Sequence, residues 1–379
     1  MYKEIVNENF QRKITTPAEA INALTVGATH DDSYNMLNQP VRLNLLTTPN
    51  CPSPISRIGF GFNQSIKPEV FMPGGRKLFR KKPLQNDIRK ISLKMEDQNQ
   101  ADGPGNKTAI PGLNGQINRL GFSCGTSNAT ALATRLGAQL LDILIQINEE
   151  LGENDEIDVK YFSLLVKSLL IHGASLGTAK EIFAEILTNN QGITANQIKK
   201  HISAYMGFGA INAQRILYCT DKRVTLLGFG KLKKDNAHIY DFPLPPSIGQ
   251  KTIDKKLTIT LIWLSPLNFK SNKYRQAHLY FDNVAGNGFL TLNREDYDFK
   301  AAQKGTSQHD VLAGNLADAF IDGDKLQIKV NCREDASGLG RQTEVRYAIC
   351  VTLEVNENQT VEIYQEVKDR IQPRVRQMV

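Results

Sequence analysis

Residues 123–131 read Ser-Cys-Gly-Thr-Ser-Asn-Ala-Thr-Ala, and a long amphipathic pattern follows them. A hydroxyl placed where a helix begins is suited to nucleophilic chemistry. Ser127 would stand among N–H groups that lack intrahelical acceptors, where the macrodipole favours negative charge. That setting suits both a nucleophile losing its proton and an oxyanion forming beside it. Gly125 would let the backbone turn tightly and let a substrate approach closely. A serine nucleophile also needs a base and a carboxylate that orients the base. The chain's six histidines offer poor choices. His172, in His172-Gly173-Ala174, falls at the end of a buried helix and reads as a histidine facing the C-terminal dipole. His30-Asp31-Asp32 joins a base to carboxylates, but sequence neighbours rarely reach the in-line hydrogen bonds a triad needs. His201, His238, His278 and His309 read as surface or β-region residues, and none has a second His or Cys at metal-ligand spacing. A second Gly-Thr-Ser, Gly305-Thr306-Ser307, is followed by Gln308 and His309 and no apolar helix, so it reads as non-nucleophilic.

The elements that must hold Ser127 follow from periodicity. Leu132, Leu136, Leu140, Leu144 and Ile147 recur at spacings of four and three, predicting a helix from Asn128 to about Glu150. Leu164, Leu165, Val166, Leu169, Leu170 and Ile171 predict a buried helix over 158–174. Another helix is expected at 195–206, with a short one after Gly207-Phe208-Gly209. Upstream, Thr16-Pro17-Ala18-Glu19 has the form of a capping box with proline at the first helical position, predicting a short helix. It runs into Ala23–Ala28, read as a buried strand. Residues 49–76 read as ordered loops around a brief strand at Val70-Phe71, and 95–116 as a polar, flexible surface loop. Beyond about residue 220 the period becomes two. Leu257, Ile259, Leu261 and Trp263 alternate with Thr258, Thr260 and Ile262, and Val345–Val355 alternate likewise. That pattern predicts an all-β sandwich or barrel. Residues 369–379 are basic and are expected to fray.

Composition narrows the setting. The chain has 379 residues, 41% hydrophobic and 22% charged, with net charge +7. Its five cysteines (Cys51, Cys124, Cys219, Cys332, Cys350) are scattered, without Cys-x-x-Cys spacing. They argue against a disulfide framework or a zinc site and for a reducing, cytoplasmic location. No signal peptide and no membrane-spanning apolar run is visible. Eight of the residues between 74 and 94 are basic (Arg76, Lys77, Arg80, Lys81, Lys82, Arg89, Lys90, Lys94). With Phe79 as the one aromatic there, the segment reads as a solvated loop rather than a nucleic-acid site.

Five motifs occur in an order that resembles the C-terminal half of the subtilase, or subtilisin-like serine peptidase, catalytic domain. They are Thr25-Val26-Gly27-Ala28, Ser53-Pro54-Ile55-Ser56-Arg57-Ile58-Gly59, Lys67-Pro68-Glu69-Val70 with Pro73-Gly74, Gly125-Thr126-Ser127-x-Ala129, and Gly207-x-Gly209-Ala210-Ile211-Asn212-Ala213. The family usually carries proline four residues after the serine, and Ala131 stands there instead. A proline in a helix's first turn loses little, so this departure removes no chemistry.

The resemblance implies an α/β fold, the C-terminal part of a three-layer parallel-sheet domain over 1–220. An all-β, sandwich-like accessory domain would occupy 221–365, and a basic tail 366–379. It implies a serine endopeptidase acting on protein or peptide substrates. Ser127 would be the nucleophile and its backbone N–H one oxyanion donor, with Gly125, Thr126 and Ala129 supporting the motif. The family's Asp, His and oxyanion Asn precede the Thr-Val-Gly-Ala strand, and no Asp-Ser/Thr-Gly or His-Gly-Thr is present here. They are expected on a missing N-terminal segment, and this chain alone is expected to be inactive. The alternative is a non-catalytic relative that binds a protein or peptide. No cofactor is evident; calcium is common in the family, but no carboxylate cluster supports it here.

Overall fold

A computed structural model describes residues 12–32, 34, 42–84, 87–96, 103–151, 156–189, 193–282, 284, 290–371 and 376–378. Strand β1 (Val26–Thr29) pairs in parallel with β3 (Val70–Pro73), and β3 with β9 (Ala210–Ile211); β8 (Ala174–Ser175) joins β9 antiparallel. Gly27 permits this packing, because a Cβ there would fall 2.4 Å from the Phe71 ring. Helix α1 (Thr126–Glu150) lies against β1 and β3, burying Ala129, Ala133, Leu136, Leu140 and Leu144. The predicted stripe is therefore rotated: Leu132 is half-buried and Ile147 exposed. Helix α2 (Phe162–His172) is buried on nearly every side, as its sequence predicts. Helices α3 (Ala179–Thr188), α4 (Ala195–Met206) and α5 (Ala213–Leu217) complete the layer. A full capping box, Thr194 with Gln197, starts α4.

The capping-box pattern at Thr16–Glu19 forms a turn and no helix, although Thr16 Oγ1 does donate to Glu19 at 2.6 Å. The carbonyls that a helix would use next are claimed by distant partners. Thr306 donates to Ile21 O at 2.6 Å, Lys167 Nζ to Asn22 O at 3.0 Å, and Lys67 Nζ to Ala23 O at 2.7 Å. Lys67 and Glu69 are almost fully buried and pair at 2.5 Å, with Lys167 Nζ 3.9 Å from the same carboxylate oxygen. The other oxygen of Glu69 accepts the Thr25 N–H at 2.8 Å. Burial lowers the Lys167 pKa to about 8 against the opposing pull of Glu69. This cluster fastens the lead-in of β1 to β3 and α2.

The basic segment is not a loop. It builds an antiparallel sheet of β2 (Arg42–Leu43), β4 (Phe79–Leu84) and β5 (Asp87–Met95). Part of the expected flexible loop is also ordered: β6 (Asn106–Ala109) pairs with β7 (Leu120–Ser123), while 97–102 lie outside the described residues.

Two antiparallel sheets follow. One runs β10 (Arg223–Leu232), β17 (Val345–Val355), β12 (Lys255–Trp263), β15 (Ser307–Gly314) and β14 (Asn293–Arg294). The other runs β13 (Ala277–Phe281), β16 (Lys325–Glu334), β11 (Ala237–Pro243) and β18 (Arg376–Met378). Thus 376–378, expected to fray, form an edge strand on β11. Leu257, Ile259, Leu261 and Trp263 share a core with Leu279, Phe281, Ile328 and Val330 of the other sheet. Their neighbours Ile262, Ala348 and Cys350 instead join the core of the helical layer. The period-two pattern thus separates two buried faces (large apolar residues inward; Thr258, Thr260, Ile262, Ala348, Cys350 and Thr352 on the other). His172, ending α2, is clasped there by Thr260 at 2.8 Å and Thr352 at 2.6 Å.

Candidate active site around Ser127

The carboxyl ends of β1 and β3 open onto one cluster of loops, the usual position for a site on a parallel sheet. Hydrogen bonds link these loops in series. Gly74 N–H donates to Thr29 O at 3.0 Å, Gly75 N–H to Asp31 O at 3.0 Å, and Gly125 N–H to Gly74 O at 2.8 Å. Two glycines are required by geometry: a Cβ on Gly74 would lie 2.3 Å from that of Ala28, and Gly75 has φ +93°. Asn106 Nδ2 donates to Pro73 O at 2.9 Å, and Cys124 Sγ to Arg76 O at 3.0 Å. Asn128 reaches back from the first helical turn, its Nδ2 donating to Ser123 O at 2.9 Å. The start of α1 is thereby fixed against the sheet.

Gly125 caps α1 with φ 175° and ψ 156°, an extended conformation open to any residue, so it does not serve a tight turn. Its use lies in the empty space beside it: a Cβ would sit 3.7 Å from the Ser127 nitrogen. Glycine keeps the approach to the first-turn N–H groups clear. Ser127 itself is exposed, and its Oγ has no hydrogen-bond partner among the described residues.

The residues considered as its partners are engaged elsewhere. His30 is buried, with Nε2 3.2 Å from Asn44 Oδ1 and Nδ1 accepting the Lys77 N–H at 3.4 Å. Burial lowers its pKa. The Asp32 carboxylate is fully buried; it receives the Arg76 and Tyr34 N–H groups at 2.8 and 2.9 Å and the Arg76 guanidinium at 2.9 Å. Asp31 accepts the Asn50 N–H at 3.0 Å. None of these side chains is hydrogen-bonded to Ser127 among the described residues. His172 lies between helix and sheet, its pKa lowered to about 3 by burial. His238, His278 and His309 lie in strands β11, β13 and β15, which matches the β-region placement read for them, and they are buried there and not at the surface; His201 is half-buried on α4. In Gly305-Thr306-Ser307, Thr306 is committed to Ile21 O and Ser307 is buried at the start of β15. Among the described residues no group of three or more His, Cys, Asp or Glu side chains is placed to hold a metal.

One feature of α1 was not apparent from its leucine stripe. Ser127, Ala131, Thr134, Ala138, Leu141 and Ile145 line up on the side away from the sheet, and all are exposed. Thr130 and Thr134 turn their hydroxyls onto their own helix, donating to Thr126 O at 3.0 Å and Thr130 O at 2.9 Å. The line therefore presents methyl and apolar surface in register with Ser127. The small residues at 131, 134 and 138 carried this signal in the sequence.

Fold and site together define an α/β protein that presents a serine at the mouth of a long helix, above the carboxyl edge of a parallel sheet. The model of the subtilase family matches residues 6–209, more than half of the chain, and the chain belongs to that family of serine peptidases. It is similar to an uncharacterized protein, y4bN, of Sinorhizobium fredii (strain NBRC 101917 / NGR234), 26% identical over 277 residues. The match covers 72% of this chain and 56% of that protein, so the chain spans little over half the length of its curated relative. No solved structure matches. Among the described residues no helix is long and apolar enough to cross a membrane.

Proposed function

We propose that Ser127 is the acyl-enzyme nucleophile of a subtilase endopeptidase whose catalytic Asp, His and oxyanion Asn are supplied by a polypeptide segment outside these 379 residues. The observation that carries this reading is the line of exposed small and apolar residues on α1 that begins at Ser127. This line, flanked by the exposed Arg135 and Asp142, gives a covering segment both apolar and charged groups to meet. A segment lying there would stand beside the serine that lacks a base. The supplied histidine would take the Ser127 proton as Oγ attacks the scissile carbonyl. The Ser127 N–H and the supplied Asn would hold the oxyanion. Collapse would expel the amine, which takes the proton from histidine, and water would then release the acyl group.

Residues 221–365 fit a sandwich-like accessory region, and five free thiols fit a reducing compartment such as the cytoplasm. The lack, among the described residues, of a base bonded to Ser127 also supports a second reading, a non-catalytic relative that binds peptides. Two measurements separate them. One is translation, in all frames, of the coding DNA upstream of Met1: an Asp-Ser/Thr-Gly and a His-Gly-Thr are expected, and their absence favours the binding reading. The other is peptide hydrolysis by this chain alone. Loss of one triad member leaves about 10³–10⁴-fold over water; with the Asp, the His and the oxyanion Asn all supplied from elsewhere far less is left, and no cleavage above background is expected. An active monomer of this chain alone would overturn the proposal.

A further inference from the structure

Strand β5 stands at the end of its sheet, with β4 on one side and no strand on the other among the described residues. Residues opposite one another in antiparallel strands share a face. Arg42, Arg80 and Lys94 are opposite one another across the three strands, with Lys82 opposite Ser92 on the same side. Arg80, Lys82 and Lys94 are exposed. Among the described residues, Glu96 meets Arg42 at 2.7 Å and Arg80 at 2.9 Å, and the described charged residues on this face are otherwise cations. The opposite face carries Leu93 and Met95, 47% and 41% exposed, beside Lys81.

An exposed strand edge is a template for another strand, and its side chains choose which one. A second copy of this edge would set cations against cations, which is destabilising. Nucleic acid is poorly served, since the one aromatic of the described hairpin, Phe79, is buried and offers no stacking surface. We propose that β5 is an interaction edge for an extended polypeptide segment in which acidic residues alternate with apolar ones. Its acidic side chains would lie over Arg80, Lys82 and Lys94, its apolar ones beside Leu93 and Met95, and its backbone along β5. This inference does not depend on the role of Ser127, because it concerns binding and not turnover.

The test is fluorescence anisotropy of the full chain with a labelled peptide of alternating Glu and Val. The comparisons are a peptide of the same composition in two blocks, an alternating Lys-Val peptide and a single-stranded oligonucleotide. The alternating acidic peptide is expected to bind at least tenfold tighter than either control peptide, less tightly at high salt, and to protect amides of 87–95 from hydrogen exchange. Lys82→Glu with Lys94→Glu should weaken it at least tenfold, and Lys82→Gln with Lys94→Gln less, with unchanged circular dichroism. Equal binding of the block peptide, no protection of 87–95, tighter binding of the oligonucleotide, or self-association through this edge would each overturn the proposal.

Discussion

Replacing Glu69 with glutamine keeps the size of the side chain and an acceptor for the Thr25 N–H, but removes the one carboxylate facing two buried ammonium groups. In the native protein Lys67 lies 2.5 Å and Lys167 3.9 Å from that carboxylate; Lys67 also donates to Ala23 O, and Lys167 to Asn22 O and Ala23 O. Removing one partner of a buried ion pair costs about 3–5 kcal/mol, because the remaining charge is stranded away from water. At about 2 °C per kcal/mol for a chain of this size, Tm should fall by about 6–10 °C. Deprotonation of Lys167 offers partial relief, since its pKa is already about 8 and Glu69 is the group that holds it up. The loss should therefore be smaller at pH 9 than at pH 7. Adding Lys167→Met to Glu69→Gln removes the second charge and should recover part of the stability. Urea unfolding followed by circular dichroism reads both variants. A Glu69→Gln loss below about 1 kcal/mol, or no recovery in the double variant, would show that the cluster is solvated and refute the reasoning.

Other expectations follow from the same contacts. Gly209 has φ +102°, and a Cβ would meet Ser175 O at 2.1 Å, so Gly209→Ala should break the β8–β9 pairing and yield little folded protein on expression; a normal yield with unchanged Tm would contradict this. Lys167 titrates near 8 when folded and near 10.5 when unfolded, so the unfolded chain holds the extra proton between those values. Stability of the native protein relative to Lys167→Met should accordingly rise with pH across that window, by up to about 3 kcal/mol, and parallel unfolding profiles would argue against a buried charge. His172 stays neutral down to about 3 when folded but gains its proton near 6.5 when unfolded. Its contribution is thus complete above 6.5 and declines toward 3, by about 1.4 kcal/mol per pH unit; His172→Gln should flatten the acid limb of the stability profile.

Local patterns were legible where the neighbours along the chain decide the outcome. The helix at Ser127, with its buried stripe rotated toward Ala129 and Ala133, the buried helix at Phe162–His172 and the strands Lys255–Trp263 and Val345–Val355 all occur where periodicity puts them. The order of motifs likewise carried the family. What could not be read depends on distant partners. Thr16–Glu19 satisfies every local rule for a helix start, yet Lys67, Lys167 and Thr306 take the carbonyls that follow. The basic segment reads as a loop because its lysine-rich sequence lacks an apolar alternation, a polar pattern that pairing of β5 with β4 overrides. At His172 the helix-end position was evident, but its hydroxyl partners stand 88 and 180 residues away. In the site, the serine and its helix were legible. The engagement of His30 and Asp32 with Asn44 and Arg76 emerged only in three dimensions, whereas the line below Ser127 was signalled by the small residues at 131, 134 and 138.

The central claim, that Ser127 is a nucleophile activated from outside these residues, is tested most directly by fluorophosphonate labelling followed by peptide mass analysis. The chain is compared alone and expressed together with its upstream coding sequence, with Ser127→Ala as the control. Because Ser127 is exposed and its hydroxyl has no partner among the described residues, that control should fold as the native chain does. The account predicts an adduct on Ser127 in the combined protein, none in Ser127→Ala, and only background labelling of the chain alone. Rapid labelling of Ser127 in the chain alone, or hydrolysis by the combined protein that survives Ser127→Ala, would contradict it.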